Sequence, residues 1–431
     1  MRLCLFEDHH VADLEPLVLT RPAFELLCGL DSLRSKQYRA FPGSEVGVLI
    51  RSYLAPLFRS QQPCIPINDL AWLRSEATAL VNARWLPPTL GGDPVRRPCP
   101  SGPCAAMIGD EVAYAIVPAE YLTDCSPDTI ADCLGTWKSE LPRRPAGGSL
   151  IRYLWDLIER NAEQLSADYR LMATGPFPRR SQATLALVGP AERLFIEPTA
   201  RLDPMVVADT TRGPVVIDRE AVVAAFSRLE GPCFIGARTH ILGAKIRAGT
   251  TLGPDCRVGG EVEASILHGH TNKYHDGFLG HSYVGEWVNI GAGAQSSDLR
   301  NDYGPVTVTV GGRPVMTGLT KVGCFLGDHT KIGLGTLLNT GTNVGIFCNL
   351  LPSGRLLPRY FPSYSACWNG TLATNRSLSQ LLDTAREVMR RRGATLTEVH
   401  AALFRHLFDQ SAAERQRLLL NLESQPLRKS A

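Results

Sequence analysis

The chain has 431 residues, a formal charge of +3, and 20% charged against 44% hydrophobic side chains. That balance excludes wholesale disorder and gives too little positive charge to argue for a nucleic-acid partner, and no apolar run is long enough to span a bilayer. A chain of this length calls for two or three domains. The first residues, MRLCLFEDHH, turn acidic at once and do not resemble a secretory signal, so a cytoplasmic protein is expected. The twelve cysteines form no CxxC pair; Cys4, Cys28, Cys233, Cys256 and Cys348 sit among apolar neighbours and read as buried free thiols.

In chain order, residues 1–185 read as an α/β domain. Apolar runs at Arg2–Phe6, Val46–Ile50, Cys64–Ile67 and Ala113–Val117 predict strands, and their alternation with more polar segments predicts a mainly parallel sheet. The stretch LEPLVLTRPAFELLCGLDSLRSK brings Arg21, Arg34 and Lys36 close together, where they could neutralise phosphates or simply be solvated charges. Neither GxxxxGK[ST] nor a GxGxxG after the first strand is present. A Pro/Gly-rich excursion is expected over 84–104, and from Leu150 the apolar spacing predicts an amphipathic helix that closes the domain before a Pro/Arg-rich linker.

Residues 186–370 announce themselves by period. Ile217, Val223, Leu229, Ile235 and Ile241 are spaced by six, and after a step of five Ile246, Leu252 and Val258 continue the series. Val284 and Ile290 keep it, and Leu326, Ile332, Leu338, Val344 and Leu350 restore it, often with glycine following the aliphatic. No helix or single strand has that period; a hexapeptide solenoid, the left-handed parallel β-helix, does. Residues 371–431 carry helical spacings, from Leu378, Leu381 and Leu382 to Leu403 and Leu407, and are expected to pack on the β-helix.

The stretch from His268 to Gly304 holds four histidines, at 268, 270, 275 and 281, and reads as an interruption of the repeat. Transfer of an acyl group to an amine or hydroxyl needs a proton acceptor, and an imidazole suits that task near neutral pH. The turn Gly291-Ala292-Gly293 could offer backbone N–H groups to a developing oxyanion. A metal site is the other chemical reading of four histidines, but their spacing fits no common zinc pattern and lacks cysteine partners.

VNIGAG at 288–293, a histidine fourteen residues before Asn289, and NDYG at 301–304 carry a resemblance. This stretch resembles the acetyltransferase site of the bifunctional bacterial N-acetylglucosamine-1-phosphate uridylyltransferase/glucosamine-1-phosphate N-acetyltransferase family, and the whole chain looks like a divergent branch of it. The resemblance implies that His275 is the catalytic base, that Asn289 and Asn301 position acceptor and pantetheine amides, that Tyr303 flanks the cofactor, and that Lys321 pairs with a phosphate. Phe278 stands where that family has a tyrosine and Asp328 where it has a serine near coenzyme A. It further implies acetyl-CoA as acyl donor, sugar phosphate and nucleoside triphosphate substrates, and a homotrimer. For the first domain it implies nucleotidyl transfer with Mg²⁺, with Asp8, Arg21, Arg34 and Lys36 as the candidates at the nucleotide. The family's LxAGxGTRM opening is replaced by LFEDHHVADLEPLVLTRP. A non-catalytic oligomeric scaffold that binds a nucleotide sugar is the alternative.

Overall fold

The computed structural model describes residues 2–89, 102–173 and 185–423. Most of the excursion expected over 84–104, and the linker expected before residue 185, lie outside the described residues. The chain divides into two compact units, Met1–Leu14 with Thr20–Leu27 and Asp31–Asp156, and Glu15–Leu19 with Cys28–Leu30 and Leu157–Ala431. No helix among the described residues is long and apolar enough to cross a membrane.

The first unit is built on a six-stranded sheet of β1 (Arg2–Phe6), β2 (Glu45–Leu49), β3 (Thr78–Asn82), β4 (Cys104–Ile108), β5 (Glu111–Val117) and β6 (Arg143–Pro145), in the order β2-β1-β3-β5-β4-β6. β1 pairs in parallel with β2 and β3. Leu3, Leu5 and Phe6 have no exposed surface, as expected of a strand covered on both faces. The sheet is mixed, not mainly parallel, because β5 runs antiparallel to both β3 and β4. The reason is local: only Gly109 and Asp110 separate β4 from β5, which permits a hairpin and no crossover. The strand expected at Cys64–Ile67 reduces to one bridge, Val48 to Ile67. The fully buried TALVN of β3 has no alternation and went unread as a strand.

The second unit is a left-handed β-solenoid of about ten turns over residues 186–367, followed by helices. Coil stacks on coil in parallel register. Along one face the inward column is Ile196, Ile217, Ile235, Leu252, Leu267, Val284, Leu326, Val344 and Phe361. Along a second it is Leu202, Val223, Ile241, Val258 and Lys273, and then Ile290, Ile332, Leu350 and Cys367. The histidine stretch therefore does not interrupt the repeat. Leu267, Lys273, Leu279, Val284, Ile290 and Ser296 keep the spacing through it, and the polar side chains at 273 and 296, exposed by only 2% each, disguised two of the inward positions. The true excursion comes later, as an antiparallel hairpin of Thr307–Val310 and Arg313–Met316.

Close coil spacing explains the glycines after the aliphatics. A Cβ on Gly253 would lie 2.0 Å from the His268 carbonyl oxygen of the next coil. Gly253→Ala is expected to destabilise the β-helix by about 1–3 kcal/mol, the usual cost of overpacking, measured by chemical denaturation. A loss below experimental error would show that the coils can spread.

Helices Leu378–Arg390 and Glu398–Gln410 each open with a capping box, Ser377 with Gln380 and Thr397 with His400. Ala401, Leu403, Phe404 and Leu407 of the second helix are buried.

Candidate functional site

The four histidines of the central stretch part company in the fold. His268 lies on a strand with Nδ1 3.1 Å from the Tyr283 hydroxyl. His270 sits at a corner with φ of 52°, one rung of a stack that continues through Trp287, His329, Phe347 and Tyr364. The His270 and Trp287 ring centroids are 4.1 Å apart, and Phe404 of a C-terminal helix meets His329 and Phe347 edge-on. These two imidazoles are spent on packing. His275 and His281 stand at two other places on the same coil, the opposite ends of one prism face. Six residues of extended chain separate them by at most about 20 Å. Among the described residues no group of three or more His, Cys, Asp or Glu could hold a metal ion.

His275 projects from the corner that joins Asn272–Lys273 to Phe278–Gly280 and is exposed. Its ring touches Tyr274 edge-on, with centroids 5.3 Å apart, and takes no hydrogen bond from the described residues. The Gly291–Gly293 turn lies directly in the next coil, because the Gly293 N–H donates to the Asp276 carbonyl at 2.8 Å. The corner that carries His275 and the Gly291–Gly293 turn therefore lie on adjacent coils. The structure also commits two of the three amides to the coil stack: Gly291 donates to Ile332 and Gly293 to Asp276. Of the three, Ala292 is the amide that no inter-coil bond takes up, so the expected oxyanion donors shrink to that one. Asn289 lies one coil from Asn272, whose Nδ2 donates to its Oδ1 at 2.7 Å. Asn301 is exposed, and Tyr303, 71% exposed, holds a φ of 55°. The Phe278 N–H donates to the Gln295 side-chain oxygen at 2.8 Å.

Lys321 goes elsewhere. It re-enters the solenoid at the His281 corner, 3.7 Å from Glu263, whose carbonyl accepts the His281 N–H. At that corner the Asp298 carboxylate holds His281 Nδ1 at 2.7 Å. Gly280 is required for it, since a Cβ there would come 2.3 Å from the Asp298 oxygen. A carboxylate-oriented imidazole is a more familiar acid–base arrangement than a bare one, and sequence spacing alone had not separated His281 from its neighbours. Asp328, on a third corner, accepts the Glu286 N–H at 2.8 Å and so serves the backbone.

In the first unit the chemistry collects at the carboxyl ends of β1, β2 and β3, the edge where open α/β sheets place ligands. Glu7 and Asp8 follow β1, Arg51 follows β2, and Asn82 and Arg84 close β3. Asp8 accepts from Arg84 Nε and Nη2 at 2.9 and 2.6 Å and from Asn82 at 2.8 Å. Arg84, with no exposed surface, also reaches Glu111 at 2.6 Å and the Ile151 carbonyl at 3.0 Å. Burial pushes the Asp8 carboxyl up, but the Arg84 hydrogen bonds and charge outweigh it and hold the pKa below the usual value. Glu7 clamps Arg51 at 3.0 Å and accepts the Ala23 amide at 2.9 Å.

The expected cations are less available than their spacing suggested. Arg34 is paired with Glu25 at 3.1 Å and lies over the Tyr38 and Phe58 rings, while Arg21 and Lys36 are buried. Arg51, Asn82, Arg84 and Glu111 were missed; the one legible hint was an arginine just past a buried strand end. Among the described residues no ready donor set for Mg²⁺ lies at this edge. Asp8, Glu7 and Glu111 are each neutralised by a guanidinium, Glu111 by Arg152 as well at 2.7 Å.

The chain thus carries an α/β unit with a mixed six-stranded sheet and a unit built on a hexapeptide β-helix. Residues 3–176 match the family described as sugar nucleotidyl transferase. The chain is 32% identical over 92 residues to the bifunctional sugar-1-phosphate nucleotidylyltransferase/acetyltransferase of Sulfurisphaera tokodaii, covering 21% of this chain and 23% of that one. It is 35% identical over 104 residues to the bifunctional protein GlmU of Methanococcus vannielii, 24% of this chain and 25% of the relative. Against GlmU of Azorhizobium caulinodans the figures are 28% over 178 residues, 40% and 37%. The matches span less than half the length of each of these relatives. Over these stretches the chain is similar to such bifunctional proteins, and residues 3–176 match the sugar nucleotidyl transferase family.

Proposed function

We propose that the chain is a bifunctional transferase of nucleotide-sugar synthesis. Its β-helix moves an acetyl group from acetyl-CoA to an amino-sugar phosphate, and its first domain joins a sugar phosphate to a nucleotide from a nucleoside triphosphate. The observation that carries the acyltransferase half is the corner where an exposed His275 stands one coil from the Ala292 amide. In that reading His275 takes a proton from the acceptor amine as its nitrogen attacks the thioester carbonyl. The Ala292 N–H meets the oxyanion, the C–S bond breaks, and coenzyme A leaves as the thiol. Asn289, Asn301 and Tyr303 line the acceptor and pantetheine. Lys321 belongs to the His281 corner and would meet these groups only across neighbouring chains.

The nucleotidyl half places its ligands at the carboxyl ends of β1–β3, with Asp8, Arg21, Arg34 and Lys36 as the polar framework around them. No step is assigned to Mg²⁺, since the carboxylates present do not fit it. Mass spectrometry of products formed from a panel of amino-sugar phosphates, with acetyl-CoA and with UTP, dTTP or GTP, tests both halves; no acetylated and no nucleotidylated product would refute the reading.

We place the protein in the cytoplasm as a homotrimer, the arrangement in which flat prism faces meet and one chain's His275 faces another's coils. Sedimentation is expected to give a trimer that carries the acyltransferase activity. A stable, active monomer would contradict it.

A further inference from the structure

Lys273 occupies an inward place in the prism where the coils on either side put Val258 and Ile290. It is 2% exposed, and its Nζ donates to the Gly259 carbonyl at 2.8 Å and to the His275 carbonyl at 3.2 Å. A buried ammonium is kept only where it satisfies groups that would otherwise go without partners, and the coil register shows why such groups exist here. Between Val258 and Glu261 the corner has two residues, Gly259 and Gly260, whereas between their partners Lys273 and Phe278 it has four, residues 274–277. The prism corner widens at this one step, and carbonyls that meet N–H groups elsewhere turn toward the interior.

We propose that Lys273 is a positioning residue for His275: its ammonium ties the His275 carbonyl to that of Gly259 and so fixes the protruding corner from which the imidazole works. The inference rests on His275 acting as the base. It assigns no contact with substrate to Lys273. Burial pushes the Lys273 amine down to about 8, opposed by the charge of Asp276 on the same corner; the flanking inward side chains, Val258 and Ile290, are apolar. As the pH rises through about 8 the two bonds lose their charge assistance, the neutral amine keeping two N–H donors, and the corner is held more weakly. Because the folded value lies below the unfolded one, the unfolded chain binds more protons between the two. Titration of Lys273 therefore raises stability over the same range in which it loosens the corner.

The test uses the full-length protein and Lys273→Met, which keeps the side-chain length and suits an apolar site. Cooperative unfolding is expected to survive, while kcat for acyl transfer falls about ten- to a hundred-fold, the scale of a misplacement near one ångström, with KM for acetyl-CoA unchanged. The wild-type rate is expected to fall above about pH 8, and that alkaline limb is expected to be missing in the variant. Hydrogen exchange at Gly293, whose N–H donates to Asp276 O, reads the corner without any turnover and is expected to speed up in Lys273→Met. Wild-type kcat with the same alkaline limb, or unchanged exchange at Gly293, would overturn the proposal. Faster exchange together with full activity of His275→Ala would instead refute the base assignment and leave Lys273 as the organiser of the corner.

Discussion

His275→Ala is expected to lower kcat for acyl transfer by about 10²- to 10⁴-fold, the usual contribution of a general base, with the unfolding transition unmoved. Both halves of that expectation come from the position of the residue. Its side chain is exposed and takes no hydrogen bond from the described residues, so truncation empties no core position and strands no buried partner. The corner backbone is held by other atoms, the Lys273 ammonium on one side and the Gly293 N–H on the other. Steady-state kinetics at saturating acetyl-CoA, beside a thermal melt, checks both. The informative companion is His281→Gln, which breaks the pairing with Asp298 at the other end of the same prism face. If His281→Gln abolishes turnover and His275→Ala does not, the carboxylate-held imidazole is the base.

Arg84→Met is expected to destabilise the first domain by about 3–5 kcal/mol, the cost of removing one partner from a buried ion pair. Arg84 is wholly buried and serves three acceptors at once: Asp8, Glu111 and the Ile151 carbonyl. Without it the Asp8 carboxylate stays buried with Asn82 and the His10 amide as its remaining support. The pH dependence gives the mechanism away. Asp8 has a folded pKa below its ordinary value, so its pairing stabilises the native domain above about pH 4, and this contribution is lost as pH falls through the depressed folded value. The variant should therefore trail the wild type most at neutral pH and approach it in acid. Urea denaturation followed at pH 7 and at pH 3.5 decides; an equal deficit at both would mean that packing and not charge is the cause.

The solenoid was legible because its rule is repeated: an aliphatic every sixth residue survives substitution at any one coil. The same rule concealed the site. Lys273 and Ser296 sit at inward positions of the coils that carry His275 and the Gly291–Gly293 turn, where a search for aliphatics finds a gap and not two coils. The mixed sheet of the first unit was harder for a different reason. Thr78–Asn82, buried throughout, carries no alternating pattern, and pairing direction depends on the two-residue hairpin at Gly109 and Asp110. The ion pairs at the strand ends lay furthest from reach. Asp8 and Arg84 are separated by 76 residues and meet only because β1 and β3 are neighbours in the sheet. Arg34 illustrates the converse: proximity in sequence to Arg21 and Lys36 suggested a cationic cluster, while the fold gives its guanidinium to Glu25.

The hairpin of Thr307–Val310 and Arg313–Met316 departs and returns at a single rung. Leu299 bridges Lys321, and the Val322 N–H donates to the Asp298 carbonyl. Everything between those anchors is released from the six-residue bookkeeping of the coils. Length elsewhere in the solenoid is quantised, since one added residue in a strand turns every later side chain inside out; here it is continuous. The chain thereby owns an insertion port beside the His281 corner, a place where a segment can be lengthened, shortened or exchanged to reshape what the prism presents to a neighbouring molecule while Leu326 and the columns beyond it stay in register.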